Sequence, residues 1–291
     1  MIVNKRIGLL VLMRESAGTL LLLAAWDFVV VMLYQLFHQE WMEIPTLPLS
    51  LIGSALALFM SVRNNTAYAR WWEGRTLWGA VTNNSRSFGR QVCTLLGGRK
   101  DLVRAMAAYP HALRTALGDI DASADVERLL APEMAEHIKG WANQPNGILL
   151  QLGMGVTEEA TKRGIDGALH GQIDRILSDL ANAQGGLERI CKTPLPIQYS
   201  GLPRALANIF CIVLPISAVQ TLGWVTPLGS SLVGLLFVVL DKTGADLQEP
   251  FVDSPHALPM EAMARTIERD LLQSIGETPS PQVVACNGVL P

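Results

Sequence analysis

Between Leu20 and Val62 the chain carries no lysine or arginine, and the stretch from Ala205 to Leu240 carries no charged side chain. A hydrocarbon core about 30 Å thick is crossed by about 20 helical residues, so these two stretches are each long enough to cross and return. Composition agrees. Of 291 residues, 49% are hydrophobic and only 17% charged, against about 25% in a soluble domain. The deficit sits almost wholly in these two stretches, which predicts an integral membrane protein with a polar middle. The same balance excludes a disordered chain, a coiled coil and a disulfide-stapled secreted domain. A net charge of −3 excludes the basic excess of a nucleic-acid binder.

The first apolar run, residues 20–36, holds one charge, Asp27. Lys5, Arg6 and Arg14 precede it as they would a secretory signal, but no small-x-small cleavage site follows, so it is read as a retained helix. The second run, 47–62, starts after the proline-rich turn 44–48, where the first helical turn tolerates proline. Arg63, Arg70, Arg75, Arg86, Arg90, Arg99, Lys100 and Arg104 crowd in directly afterwards. The positive-inside rule then puts the N-terminus and the middle of the chain in the cytoplasm. The loop with Glu40, Trp41 and Glu43 faces outward, Trp41 serving as an interfacial anchor. Residues 205–221 and 227–240 make a second hairpin, bracketed by Arg204 and Lys242. The expected organisation is a cytosolic N-terminus at 1–19, a transmembrane hairpin at 20–62, a helical cytosolic region at 63–203, a second hairpin at 204–241, and a cytosolic helix and tail at 242–291. The fold class is all-α, with four transmembrane helices per subunit.

Leu169, Ile173, Ile176, Leu177 and Leu180 recur at helical spacing in the middle region. Breaks are expected at 97–98, 144–147, 153–155 and 193–196, with a further helix at 259–275 and a tail at 278–291 that is mobile or draped over a neighbour. The four cysteines and five histidines form neither a C-x-x-C pair nor an H-E-x-x-H pair, so no metal or redox centre is expected.

Asp27 inside a span costs about 2.5–3.5 kcal/mol if it faces lipid, which makes it a functional group or a buried hydrogen-bond partner. In the second span Gly53, Ala57 and Ser61 form a small-residue stripe of the kind that lets helices pack closely. Ser54, Leu58 and Val62 form the neighbouring stripe. On periodicity alone these face lipid or another helix; around an axis they would stack as rings, and an apolar ring gates ions by dewetting. The run Arg63-Asn64-Asn65-Thr66-Ala67-Tyr68-Ala69-Arg70-Trp71-Trp72-Glu73 suits a membrane-to-cytosol boundary, with indoles at headgroup depth and arginines reaching outward. Its basic cluster also suits anionic lipid heads.

That run, extended through Leu77-Trp78-Gly79 and Asn84-Ser85-Arg86, resembles the signature of the bacterial bestrophin-like channels. Glu188-Arg189-Ile190 with Thr193-Pro194-Leu195-Pro196, and Glu249-Pro250-Phe251, match at fitting positions. The resemblance covers nearly the whole chain. It implies a homopentamer around one axial pore, with a neck on the second helix at Ser54, Leu58 and Val62. Family necks are usually lined by bulky Ile and Phe; a hydroxyl, a leucine and a valine imply a wider or more readily wetted neck. The resemblance also implies a cytosolic constriction at the start of the 168–180 helix, at Ala168 with Leu169 beside it. Animal members hold calcium in an acidic clasp after this third motif. Here only Glu249 and Asp253 stand there, enough for a weak cation site at most, since Ca²⁺ takes six to eight oxygens. No cofactor is expected.

The expected function is therefore passive conduction of small monovalent ions through a hydrophobic neck, with other copies of the chain and membrane lipids as partners and no nucleic acid. Family resemblance allows chloride or cations; Glu40 and Glu43 near the outer mouth tilt the expectation toward cations. A membrane scaffold without ion flux is the alternative. A membrane-anchored enzyme would need a convergent acid–base or metal constellation, and a secondary transporter would need paired repeats; the sequence has neither.

Overall fold

The computed structural model describes residues 5–37, 46–118, 120–252, 254–285 and 290. The expected outer-mouth residues Glu40, Trp41 and Glu43, and Asp253 of the weak cation site, lie outside the described residues. Among the described residues there are ten α-helices and no strand: α1 Lys5–Phe37, α2 Thr46–Leu95, α3 Lys100–Leu117, α4 Ser123–Leu129, α5 Pro132–Ile138, α6 Gln144–Arg163, α7 Gly167–Lys192, α8 Ile197–Leu222, α9 Thr226–Gln248 and α10 Met260–Ser274. Two stretches, Ser16–Phe37 and Ile197–Gln248, are long and apolar enough to cross a membrane, and the second holds both α8 and α9, joined by the 3₁₀ turn Gly223–Val225.

Contacts divide the chain into an apolar unit, Ile2–Arg70 with Pro194–Gln248, and a polar unit, Trp71–Thr193 with Glu249–Pro291. The division on α2 falls after Arg70 rather than after Val62, because Arg63, Asn64 and Arg70 all bond to α9. In the apolar unit Leu49, Leu56 and Met60 of α2 pack on Ala207, Phe210 and Cys211 of α8 and Phe237 of α9. The Phe210 and Phe237 rings meet edge to face at 5.2 Å, a favoured aromatic geometry. Val30 and Val31 of α1 pack on Val219 of α8. Asp27 is enclosed and accepts a 2.6 Å hydrogen bond from the Ser231 hydroxyl on α9, so of its two expected roles the hydrogen-bond partner is the one seen. Leu21, Leu22, Leu228 and Leu232 lie open on the outside. A large apolar surface of this kind marks contact with lipid or with other protein.

The polar unit is built on α3, whose residues from Leu102 to Leu113 are nearly all buried. Trp78, Val81, Phe88 and Val92, spaced at three, four and seven along α2, join that core together with α6, α7 and α10. The Tyr109 hydroxyl donates to Gln184 Oε1 at 3.2 Å. Burial and the nearby Glu188 carboxylate push this phenol well above its ordinary range.

Two expected breaks take a different form. Gly153 and Gly155 do not interrupt the chain, because α6 runs through both. A Cβ on Gly155 would stand 2.5 Å from Leu102 Cδ2, so this glycine serves the close approach of α6 to α3 rather than a turn. The segment 144–147 is a helix start: Pro145 occupies the first turn and the Asn143 side chain accepts from the Asn146 amide at 3.1 Å. The expected breaks at 97–98 and 193–196 are interhelical, and the 259–275 helix is α10.

Candidate functional site

The site begins with the sidedness of α2. Its face bearing Leu49, Leu56, Met60, Arg63 and Ala67 is buried within the chain, while Ser54, Leu58 and Val62 are exposed, Leu58 at 69% and Val62 at 46%. The Ser54 hydroxyl donates to the Ser50 carbonyl at 2.9 Å, so its hydrogen is turned back onto its own helix. Of the small-residue stripe, Gly53 meets another helix. A Cβ there would lie 2.9 Å from the Phe210 ring, while Ala57 and Ser61 remain exposed.

The next two turns of α2 stitch it to the end of α9. Arg63, 1% exposed, ion-pairs with Asp241, whose other oxygen accepts from Arg204 Nε at 2.8 Å. Asn64 Nδ2 donates to the Leu240 carbonyl at 2.9 Å, and Gly244 leaves room for the Asn64 amide where any side chain would collide. Arg70 Nε donates to the Gln248 carbonyl at 2.8 Å, placing a cation on the last turn of α9, where free carbonyls and the helix dipole favour it. Asn65, Tyr68 and Trp72 are exposed.

Within the polar unit Trp71 Nε1 donates to the His256 carbonyl at 3.3 Å, and Glu73 ion-pairs with Arg189. The Glu249-Pro250-Phe251 motif ends α9 and turns the chain. Glu249 is exposed, the Pro250 carbonyl accepts from the Leu258 amide at 2.9 Å, and Phe251 is buried against Gly74, where a Cβ would sit 3.3 Å from its ring. Among the described residues no three His, Cys, Asp or Glu side chains gather as a metal site. Ala168 and Leu169 are exposed in the first turn of α7, which Asp166 caps by accepting from the Ala168 amide at 3.1 Å. His170, one residue on, lies 3.3 Å from Thr157 Oγ1 of α6.

Sequence reasoning singles out Arg63 and Arg204 but not the partner they share. Asp241 was visible as the single acid ending the apolar run, flanked by Lys242. The arginines around it read as charges that set topology or meet lipid heads, because nothing local ties residue 63 to residue 241.

A match to the family Bacterial/Fungal Bestrophin protein covers residues 11–273, and the chain belongs to that family. A voltage-dependent anion channel-forming protein of Ralstonia nicotianae is 34% identical over 260 residues, 86% of this chain and 85% of the relative. One of the same description from Mesorhizobium japonicum is 30% identical over 98% of this chain and 96% of its own. The crystal structure of a bacterial bestrophin homolog from Klebsiella pneumoniae superposes with a TM-score of 0.85 at 32% identity, covering 89% of this chain and 98% of that one. The Ralstonia and Mesorhizobium relatives are named for forming channels, not for catalysing a reaction.

Proposed function

We propose that this chain is the subunit of a homopentameric channel of a bacterial inner membrane, passing monovalent ions passively along an axis lined by α2. Four spans, α1, the first part of α2, α8 and α9, leave both termini on the cytosolic side. Ser54, Leu58 and Val62 form the neck as three stacked rings, and Ala168, with Leu169 beside it, lines a cytosolic constriction. The observation that carries this reading is the one-sidedness of α2: one face is packed and bonded along its length, and the opposite face presents Leu58 and Val62 uncovered. Five such faces around an axis give an apolar constriction whose wetting sets the conductance.

Exposed apolar helices favour a lipid surround, and Trp72 beside Arg70 suits the headgroup layer. Glu249 with Asp253 offers at most a weak cation site, and no cofactor takes part in conduction. On selectivity, Glu40 and Glu43 at the outer mouth favour cations, whereas the curated relatives are named for anions.

The test is current through the purified protein in a planar bilayer under a KCl gradient. Leu58→Ala and Val62→Ala are expected to raise single-channel conductance by lowering the dewetting barrier, and Leu58→Phe to reduce it. Unchanged conductance in all three would sink the neck assignment. A reversal near the potassium Nernst value points to the outer-mouth acids, and one near the chloride value to positive charge further along the route.

A further inference from the structure

Arg63 is enclosed, yet only part of its guanidinium is used. Nη1 carries the ion pair with Asp241, while Nε and Nη2 have no hydrogen-bond partner among the described residues. These two nitrogens lie on one edge of the group and point their N–H bonds the same way, the fork that takes two oxygens of an anion side by side. Beside it the enclosed Asn64 Oδ1 also lacks a partner, and the amide is oriented by the bond from its Nδ2 to the Leu240 carbonyl. Both groups flank Gly244, where a Cβ would stand 2.2 Å from Asn64 Oδ1 and 3.6 Å from Arg63 Cζ. Unpaired buried donors and acceptors are costly, and two donors with one acceptor at a single corner call for a ligand. Asp241 gives its other oxygen to Arg204, so the two arginines and the aspartate together leave one positive charge.

We infer that this corner of the apolar unit, where α2, α8 and α9 meet, binds a small monovalent oxyanion that carries its own hydroxyl, hydrogencarbonate being a compact example. Two of its oxygens accept from Arg63 Nε–H and Nη2–H, its O–H donates to Asn64 Oδ1, and its charge cancels the excess left by Arg63, Asp241 and Arg204. Asp241 sits at Nη1, away from the open edge, so the two anions share no donor. A halide offers one atom to a fork built for two and has no proton for Asn64. A water molecule satisfies donor and acceptor but leaves the excess charge in place. Arg63 is enclosed by its own chain, so the anion is a resident ligand that braces α2 against α9, not an ion in transit. The inference is therefore independent of the channel reading above.

The experiment follows the thermal unfolding midpoint of the purified protein in detergent, titrated with hydrogencarbonate, formate or chloride at fixed pH and ionic strength, so that screening stays constant. Hydrogencarbonate is expected to raise the midpoint saturably, by about 2–4 °C, as a ligand of the folded state does. Formate, with two oxygens and no hydroxyl, should need about tenfold more for the same rise, and chloride should leave the midpoint unchanged. Arg63→Lys keeps the positive charge and abolishes the response, because an ammonium has no fork. Gly244→Ala, whose Cβ displaces the Asn64 amide, weakens the response about tenfold and serves where Arg63→Lys does not fold. Arg204→Gln removes the excess charge without touching the ligand and weakens the response about threefold or more. Equal shifts with all three salts overturn the inference, and so does no shift with any, which leaves an internal water on the fork. A hydrogencarbonate response unchanged in both Arg63→Lys and Gly244→Ala overturns it as well. None of these readouts uses current, so a failed inference leaves the channel reading intact and a silent channel leaves the inference standing.

Discussion

Arg63 shows how much one residue of the signature run depends on a partner far away in sequence. Its guanidinium is enclosed, and its ion pair with Asp241 spans 178 positions. Removing one member of a buried pair strands the other, at a cost of about 3–5 kcal/mol. Asp241→Asn and Arg63→Met are each expected to lower the stability of the purified protein by about 3 kcal/mol. Arg204→Gln, which removes a half-exposed partner of the same aspartate, should cost under about 1 kcal/mol. Thermal unfolding in detergent gives the ranking, and equal losses for Asp241 and Arg204 would mean that the buried pair is not the anchor. The sequence displayed Arg63 as one of a cluster, and charge clustering spoke to topology. Which arginine is enclosed follows from the packing of α8 and α9 around it, and no local pattern encodes that.

At the scale of the helix, period and caps are legible in the sequence, and the role of a glycine is not. Gly153 and Gly155 looked like a break because glycine lowers helix propensity; the structure uses Gly155 as a contact with Leu102. The pair Gly185–Gly186 in α7 makes the same point within two adjacent positions. A Cβ on Gly185 meets nothing within 4 Å, whereas one on Gly186 would stand 2.8 Å from Leu77 Cδ1 on α2. Gly185→Ala is therefore expected to stabilise by about 0.5–1 kcal/mol through helix propensity alone. Gly186→Ala should lose that gain and about 1 kcal/mol more as Leu77 is displaced. Chemical denaturation of the two variants side by side separates them; equal gains would show that α7 and α2 are not held so closely. Glycine composition does not distinguish a turn, a spare position and a contact, because the difference lies in the neighbouring helix.

At the scale of the whole molecule, Glu268 centres a polar network that no motif announces. Glu268 of α10 is fully enclosed, hydrogen-bonded to His111 Nε2 at 2.8 Å, to Arg128 at 2.8 Å and to the Ser280 hydroxyl at 2.6 Å. Burial works against its charged form, but the hydrogen bonds from His111, Ser280 and Arg128 outweigh it and hold the carboxyl far below its ordinary value of 4.5. A group whose folded-state value is depressed stabilises fully above its unfolded value and loses that contribution as pH falls toward the folded one. The polar unit should therefore lose on the order of 2 kcal/mol as pH drops from about 5 toward about 2, and Glu268→Gln should flatten that dependence. Unfolding midpoints across this range check it; a wild-type slope no steeper than the variant's would remove Glu268 from the account. The network binds α3, α4, α10 and the segment after α10 together, and it arises only once those elements meet. The sequence by itself determined that the chain is helical, that two long stretches are too apolar for water, and which family its motifs mark, because period, hydropathy and motif are local properties of the chain. Only the tertiary structure decided which face of α2 is covered, which arginines are paired and which left open, and which glycines are contacts, because each depends on side chains brought close by packing from positions far away in sequence.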